Sequence, residues 1–329
     1  MIERGLTLAM GEIIASGPRQ TVDAPFGNAL VELANKRKDV VGLSADLAKY
    51  TDILPFRDAF PERFFNVGMA EQNLIAVSAG LAKSGFSAFC TTYGVFATRR
   101  AYDFIAIACA HSHANVKIFA GLPGLTTGYG GTHQAIEDLA LMRMIPGLVV
   151  IDPCDATEIE QVVHAVAEHS GPTYVRLLRG LVPRVLDPTI HHFEIGRGYI
   201  LRSGGELGMI STGLMTERAL DAANELSRQG IEVSILHMPT IKPFDTKEVI
   251  NFVKNMKRVM TLENHVVSGG IGTLVAEALY EAGLVRPLQR IGIPDCFIEC
   301  GSLPYLQDKC GMTVSKIVEF AQNENKWRK

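Results

Sequence analysis

Residues 63–86, RFFNVGMAEQNLIAVSAGLAKSGF, contain an ionisable glutamate, Glu71, set into a run otherwise suited to burial. A charged carboxylate is costly to desolvate, so a glutamate there needs a partner or a task. The spacing predicts a helix over residues 69–83, with Ala70, Leu74, Val77 and Leu81 lining the face toward a sheet and Glu71 in the first turn. A glutamate in that turn also interacts favourably with the helix N-terminus, and from the helix alone neither reading prevails. Downstream, FCTTYGVFATRRAYDFI brings Tyr93 and Phe96 out of a strand end. A flat aromatic group near a half-buried carboxylate suits a heteroaromatic ring that needs both stacking and a proton partner. Then comes His133, expected at a helix start after a loop containing Gly124, Gly128, Gly130 and Gly131. Such a loop permits close backbone approach to a ligand, or simply a tight connection. A histidine there can donate to a substrate oxygen or exchange protons near neutral pH.

These residues need elements to hold them. VVGLSAD, FSAFCTT, VKIFAG, GLVVIDP and TYVRLL are short, apolar and bounded by turn residues, as buried strands are. Between them, residues 26–36, 69–83, 95–110, 134–144 and 155–169 carry helical periodicity. That alternation predicts an α/β domain over residues 25–180, built on a parallel sheet covered on both faces. Ligands of such open sheets gather at the carboxyl ends of the strands. Residues 181–198 have turn signals and no sustained period, and are assigned as a linker. Beyond it, LGMISTG, EVSILHMP, RVMTLENH and LQRIGIPD alternate with helical stretches at residues 216–229 and after SGGIG, predicting a second, smaller α/β domain over residues 199–329. The segment 1–24 has no assignment beyond a possible helix against a partner.

The 329 residues exceed what one core usually serves. With 32 basic against 35 acidic residues and no basic block, nucleic acid is not an expected partner. The N-terminus lacks the positive-then-apolar order of a secretion signal, and no apolar run is long enough to span a bilayer. Six scattered cysteines read as buried thiols, and a cytoplasmic location is expected. Cys296 and Cys300 together with a nearby histidine offer a metal alternative, which packing outweighs; no metal ligand is assigned.

Taken together, FFNVGMAEQN, TTYGVFATRRAYD, GGTHQAIEDLALMRMIPGLVVIDPCDATE and GPTYVRLLRG resemble the pyrimidine-binding domain of the transketolase family, which includes deoxyxylulose-phosphate synthase. The later part resembles that family's C-terminal domain, and the likeness runs over residues 25–321 in order and spacing. It implies the pyrimidine-binding thiamine-diphosphate fold, followed by the smaller C-terminal domain. By this resemblance Glu71 hydrogen-bonds N1′ of the aminopyrimidine of thiamine diphosphate and favours the imino form that takes the thiazolium proton. Phe96 stacks on the pyrimidine with Tyr93 beside it, and Asp46 lies near the cofactor. His133 touches the substrate carbonyl, Arg179 holds a distal phosphate with its fork of donors, and Arg100 is a further pocket arginine.

The family binds the diphosphate and Mg2+ through a domain with a Gly-Asp-Gly motif, and none occurs in this chain. The resemblance therefore implies a separate diphosphate-binding partner subunit, which also holds the Mg2+, in an α2β2 assembly. The substrate pocket departs from the family: Tyr129 stands where an aspartate is usual, Asp23 replaces an arginine, Tyr50 a serine and Gly121 a histidine. The expected activity is transfer of a two-carbon ketol unit between sugar-type substrates, with a donor or acceptor other than the common pentose phosphates. The alternatives are the β subunit of a 2-oxoacid dehydrogenase decarboxylating component, a carboligase like deoxyxylulose-phosphate synthase, and a catalytically silent scaffold.

Overall fold

A computed structural model describes residues 17–323. Its strands are β1 Thr21–Asp23, β2 Val40–Ser44, β3 Phe64–Asn66, β4 Ser87–Tyr93, β5 Val116–Gly121, β6 Val149–Ile151, β7 Thr173–Leu177, β8 Leu181–Pro183, β9 Tyr199–Arg202, β10 Leu207–Ser211, β11 Val233–His237, β12 Thr240–Lys242, β13 Arg258–Val266 and β14 Leu288–Ile293. Seven of them form one sheet in the order β12-β6-β7-β5-β4-β2-β3, parallel except for β12. Along β5 the side chains of Ile118 and Ala120 enter one core and that of Phe119 the other, so alternate residues serve opposite faces. Helices Pro25–Lys36 and Ala156–Glu168 cover the Phe119 face, and Glu71–Lys83, Gly94–Phe104 and Asp138–Arg143 cover the other. This double cover is why the central strands are apolar at successive positions.

A second sheet has the order β14-β13-β10-β11-β9, with β9 antiparallel at its edge. The short pair β1–β8 stands alone. Residues 21–23 thus form a strand, whereas the expectation of a partner-facing helix falls on the N-terminal segment, of which residues 1–16 lie outside the described residues. Among the described residues, no helix is long and apolar enough to cross a membrane.

Several expectations need correction. The helix expected over residues 134–144 is confined to Asp138–Arg143. The carbonyls of Ala135 and Ile136 accept instead from Gly124 and Val266, so tertiary partners take the bonds a helix would use. His133 accordingly lies in the loop, not at a helix start. The helix expected over residues 95–110 is α-helical only to Phe104, and Ile105–His111 form a π-helical turn. That wide turn keeps Ile105, Cys109 and Ala110 together on the buried side. Cys296 and Cys300 are exposed and Cys310 is half-buried; only Cys90, Cys109 and Cys154 are the buried thiols expected.

The two sheets are tied by buried charge. Glu158, on the helix capped by Asp155, meets Nε2 of His237 at 2.9 Å and Nε2 of His191 at 3.0 Å. Burial pushes this carboxyl up, but His237 and His191 more than reverse it and hold it below the ordinary carboxylate range. Strand β12 adds a second tie, crossing from the later region to pair with β6.

Candidate active site

The parallel register sets the site. Tyr93, Gly121 and Leu177 are level at the carboxyl ends of β4, β5 and β7, so the residues that follow them converge. The chain steps outward from β2 to β3 and then returns across β2 to β4, so the strand order reverses between β2 and β4, the place where open α/β sheets bind their ligands.

Glu71 is the first residue of its helix, and its inward row is Glu71, Leu74, Ile75, Ser78 and Ala79. The row expected from sequence was rotated: Ala70 is exposed, and Val77 and Leu81 are half-buried. The reason is that Ile75, Ser78 and Ala79 pack beside Leu74, and the glutamate belongs to the packed face itself. Glu71 is 4% exposed, and both its carboxylate oxygens meet Nη1 of Arg100, at 3.3 and 3.2 Å. Its burial is therefore offset by a cation, not left bare.

Arg100 and Phe96 are one turn apart on the helix Gly94–Phe104, and the guanidinium lies 4.1 Å from the Phe96 ring centroid. The other rings collect here too. Tyr93 lies 5.9 Å from Phe96, and His133 meets Phe96 at 5.5 Å, Tyr129 at 5.5 Å and Tyr93 at 6.2 Å, edge to face in each case. Burial raises the Tyr93 phenol above its ordinary value, and the charge of neighbouring Arg179 opposes this. Tyr50 packs into the same apolar cluster as Tyr93 and Phe96.

Six predicted residues (Glu71, Tyr93, Phe96, Arg100, Tyr129 and His133) thus form one connected group, with Arg179 beside it. Asp46 is different. It sits at positive φ after β2 and accepts from Asn66 Nδ2 at 3.0 Å; among the described residues, no hydrogen bond or ring contact joins it to the group.

The His133 ring takes a hydrogen bond at Nδ1 from Thr132 Oγ1, 2.9 Å away, when the hydroxyl donates. That leaves Nε2–H as the donor available to an incoming oxygen. Arg99, not singled out from the sequence, braces this loop. It forks onto Glu137 and donates from Nη1 to the Gly131 carbonyl at 2.9 Å, two residues before His133. The Arg99–Arg100 doublet is its only sign in the sequence.

The loop glycines serve a different purpose from close ligand approach. A Cβ on Gly124 would lie 2.2 Å from the Asn264 carbonyl oxygen, and one on Gly128 would lie 2.1 Å from that of Gly301. Gly130 and Gly131 lie less tightly against side chains, with a Cβ 2.9 Å from Cys300 Sγ and 3.0 Å from the Phe297 ring. The close approach is by the C-terminal region, which backs the loop carrying Tyr129 and His133. Gly128→Ala is expected to lower stability by about 1–3 kcal/mol, because backbone must move, and to reduce turnover with it. Gly80→Ala, on an exposed helical position with open space around it, should instead stabilise by about 0.5–1 kcal/mol. Urea unfolding of both variants checks the contrast, and equal effects would contradict it.

Comparison with known proteins matches both regions of the chain. Residues 19–185 match the transketolase pyrimidine-binding domain and residues 196–317 the transketolase C-terminal domain. An uncharacterised transketolase family protein of Sinorhizobium fredii is 52% identical, over 95% of this chain and 91% of its own. A 6-deoxy-6-sulfo-D-fructose transketolase subunit from a Clostridium strain is 40% identical, over 90% of this chain and 92% of its own. Among solved structures, a split-gene transketolase in an inactive β4 tetramer superposes with a TM-score of 0.84 at 41% identity, covering 91% of this chain and 96% of that one. With both domains matched in order and relatives of 52% and 40% identity aligned over nine-tenths or more of its length, the chain belongs to the transketolase family.

Proposed function

We propose that this chain is the pyrimidine-binding subunit of a split transketolase, transferring a two-carbon ketol unit once a diphosphate-binding partner docks. The observation that carries this is that the buried Glu71 carboxylate and the Phe96 ring both engage one planar, donor-bearing group, the Arg100 guanidinium. That arrangement fits an aminopyrimidine: Glu71 would hold its ring nitrogen, Phe96 would stack on its face, and Tyr93 would flank it. When bound, thiamine diphosphate supplies the electron sink that lets a carbon–carbon bond beside a carbonyl break and re-form. Around it, Glu71 exchanges a proton at the ring nitrogen, and His133 Nε2 donates to the substrate oxygen. Arg99 keeps that histidine in place through Gly131. Mg2+ and the diphosphate would be held by the partner, in a cytoplasmic α2β2 assembly. The names of two similar proteins, a transketolase subunit and a split-gene transketolase, support a partner-dependent enzyme.

The substrate reading follows from Tyr129, Tyr50 and Gly121, which replace polar groups expected from the family. Tyr129 lies against His133, and Tyr50 fills space beside Tyr93. A donor or acceptor other than the usual pentose phosphates fits better. A 6-deoxy-6-sulfo sugar, named for one relative, is a reasonable first probe. The test is steady-state turnover by the chain reconstituted with its partner, thiamine diphosphate and Mg2+. Efficient transfer from xylulose 5-phosphate to ribose 5-phosphate would refute the substrate reading. Carbon dioxide release from pyruvate, or no cofactor-dependent reaction at all, would overturn the transferase reading.

A further inference from the structure

The contact between Arg100 and Glu71 goes beyond what the pocket needs for a cofactor. We infer that Arg100 is a placeholder: before the cofactor arrives its guanidinium occupies the aminopyrimidine seat between Glu71 and Phe96, and it leaves when the ring enters. This rests on the pocket assignment proposed above. A guanidinium is planar, stacks on aromatic faces and presents N–H donors at its edge. Those are the properties by which an aminopyrimidine would engage a carboxylate and a phenylalanine. The guanidinium uses both partners at once, with Nη1 at 3.2 and 3.3 Å from the Glu71 oxygens and its central carbon 4.1 Å from the Phe96 centroid. At that stacking distance no second planar group fits between them.

The two members of the ion pair are unequally placed. The Glu71 side chain is 5% exposed and fixed on the packed face of its helix, whereas that of Arg100 is 55% exposed. The carboxylate therefore stays and its partner changes. A long, half-exposed arginine regains water when it swings out, so the exchange is reversible and the pair itself is weak. In the unliganded chain the same contact compensates a buried negative charge that would otherwise be left alone. The cofactor must compete with a group of the protein's own.

The test compares wild type with Arg100→Met, which retains an apolar stem but has neither charge nor donors. Binding of 4-amino-2-methylpyrimidine to the full chain is followed by calorimetry, and binding of thiamine diphosphate to the chain assembled with its partner by a cofactor difference spectrum. The Arg100→Met variant should bind the probes about tenfold more tightly, equivalent to ~1.4 kcal/mol, and Phe96→Ala should weaken binding in either background. Thermal unfolding of Arg100→Met controls for folding, and Arg100→Lys, which keeps charge without the planar fork, should fall between the two. If Arg100→Met binds equally or more weakly while Phe96→Ala weakens binding, the placeholder is wrong and the pocket assignment stands. Absence of binding by every form, including the assembled pair, would overturn the pocket assignment and this inference with it.

Discussion

Glu71→Ala is expected to reduce two-carbon transfer by the reconstituted enzyme by about a hundredfold to ten-thousandfold, the usual range for loss of a positioned proton-transfer group. The fold should survive. The only ion-pair partner of Glu71 among the described residues is Arg100, whose side chain is half-exposed and turns to water once the carboxylate is gone. No buried charge is orphaned, so stability should change by about 1 kcal/mol or less. Glu71→Gln refines the result. It preserves shape and hydrogen-bonding capacity but cannot exchange a proton, so it should lose most turnover while keeping thiamine diphosphate affinity within about tenfold. Steady-state rates and cofactor titration of both variants, beside unfolding curves, make the comparison. Normal turnover in either variant would remove Glu71 from the chemistry.

Much of this site could be read from the chain because its pieces are local. Glu71 stands out because a run of apolar and small residues surrounds it, and Tyr93 and Phe96 because they follow a compact strand. Its helical row was harder to place. Ser78 and Ala79 lack the large apolar side chains that mark a buried face, and Ser78 satisfies its hydroxyl by donating to the Leu74 carbonyl. The edge strands β3 and β12, FFN and TIK, have neither a period nor the unbroken β-branched run that marks the equally short β6, VVI. Nor did local sequence show what the glycine-rich loop packs against. Gly301 and Asn264, which press on Gly128 and Gly124, are far along the chain, and the hydrogen bond from Gly301 N to the Gly128 carbonyl exists only once both lobes have folded. Likewise, TYVRLL marked a strand but not the task of the arginine within it, since that depends on carboxylates from other elements.

That arginine, Arg176, carries the largest expected effect on stability. It is 1% exposed, and donates from Nε to Asp138 Oδ2 at 2.9 Å and from Nη2 to the other oxygen of the same carboxylate. Nη1 reaches Asp152 at 3.4 Å and the Asn264 carbonyl at 3.1 Å, so one guanidinium joins the first sheet to the end of β13. Burial pushes both carboxyls up. Arg176 more than reverses this for Asp138, which lies below its ordinary value, but only partly for Asp152, which remains raised to about 6. Arg176→Met leaves two buried carboxyls without their cation and should cost about 3–5 kcal/mol near neutral pH. With the guanidinium gone, desolvation dominates at both sites, and both folded-state pKa values rise above the unfolded value of 3.8. Groups raised in this way stabilise the fold at pH below the unfolded value, and that contribution is lost as pH climbs through the folded one. The deficit against wild type should therefore be largest near pH 8 and smaller near pH 5. Lys257→Met, which breaks the exposed pair with Glu206, should change stability by about 0.5 kcal/mol or less at either pH. Urea unfolding of the three proteins at both pH values decides the matter: a deficit for Arg176→Met that is small, or that grows toward acid, would mean that Arg176 does not neutralise the buried carboxylates as the geometry requires.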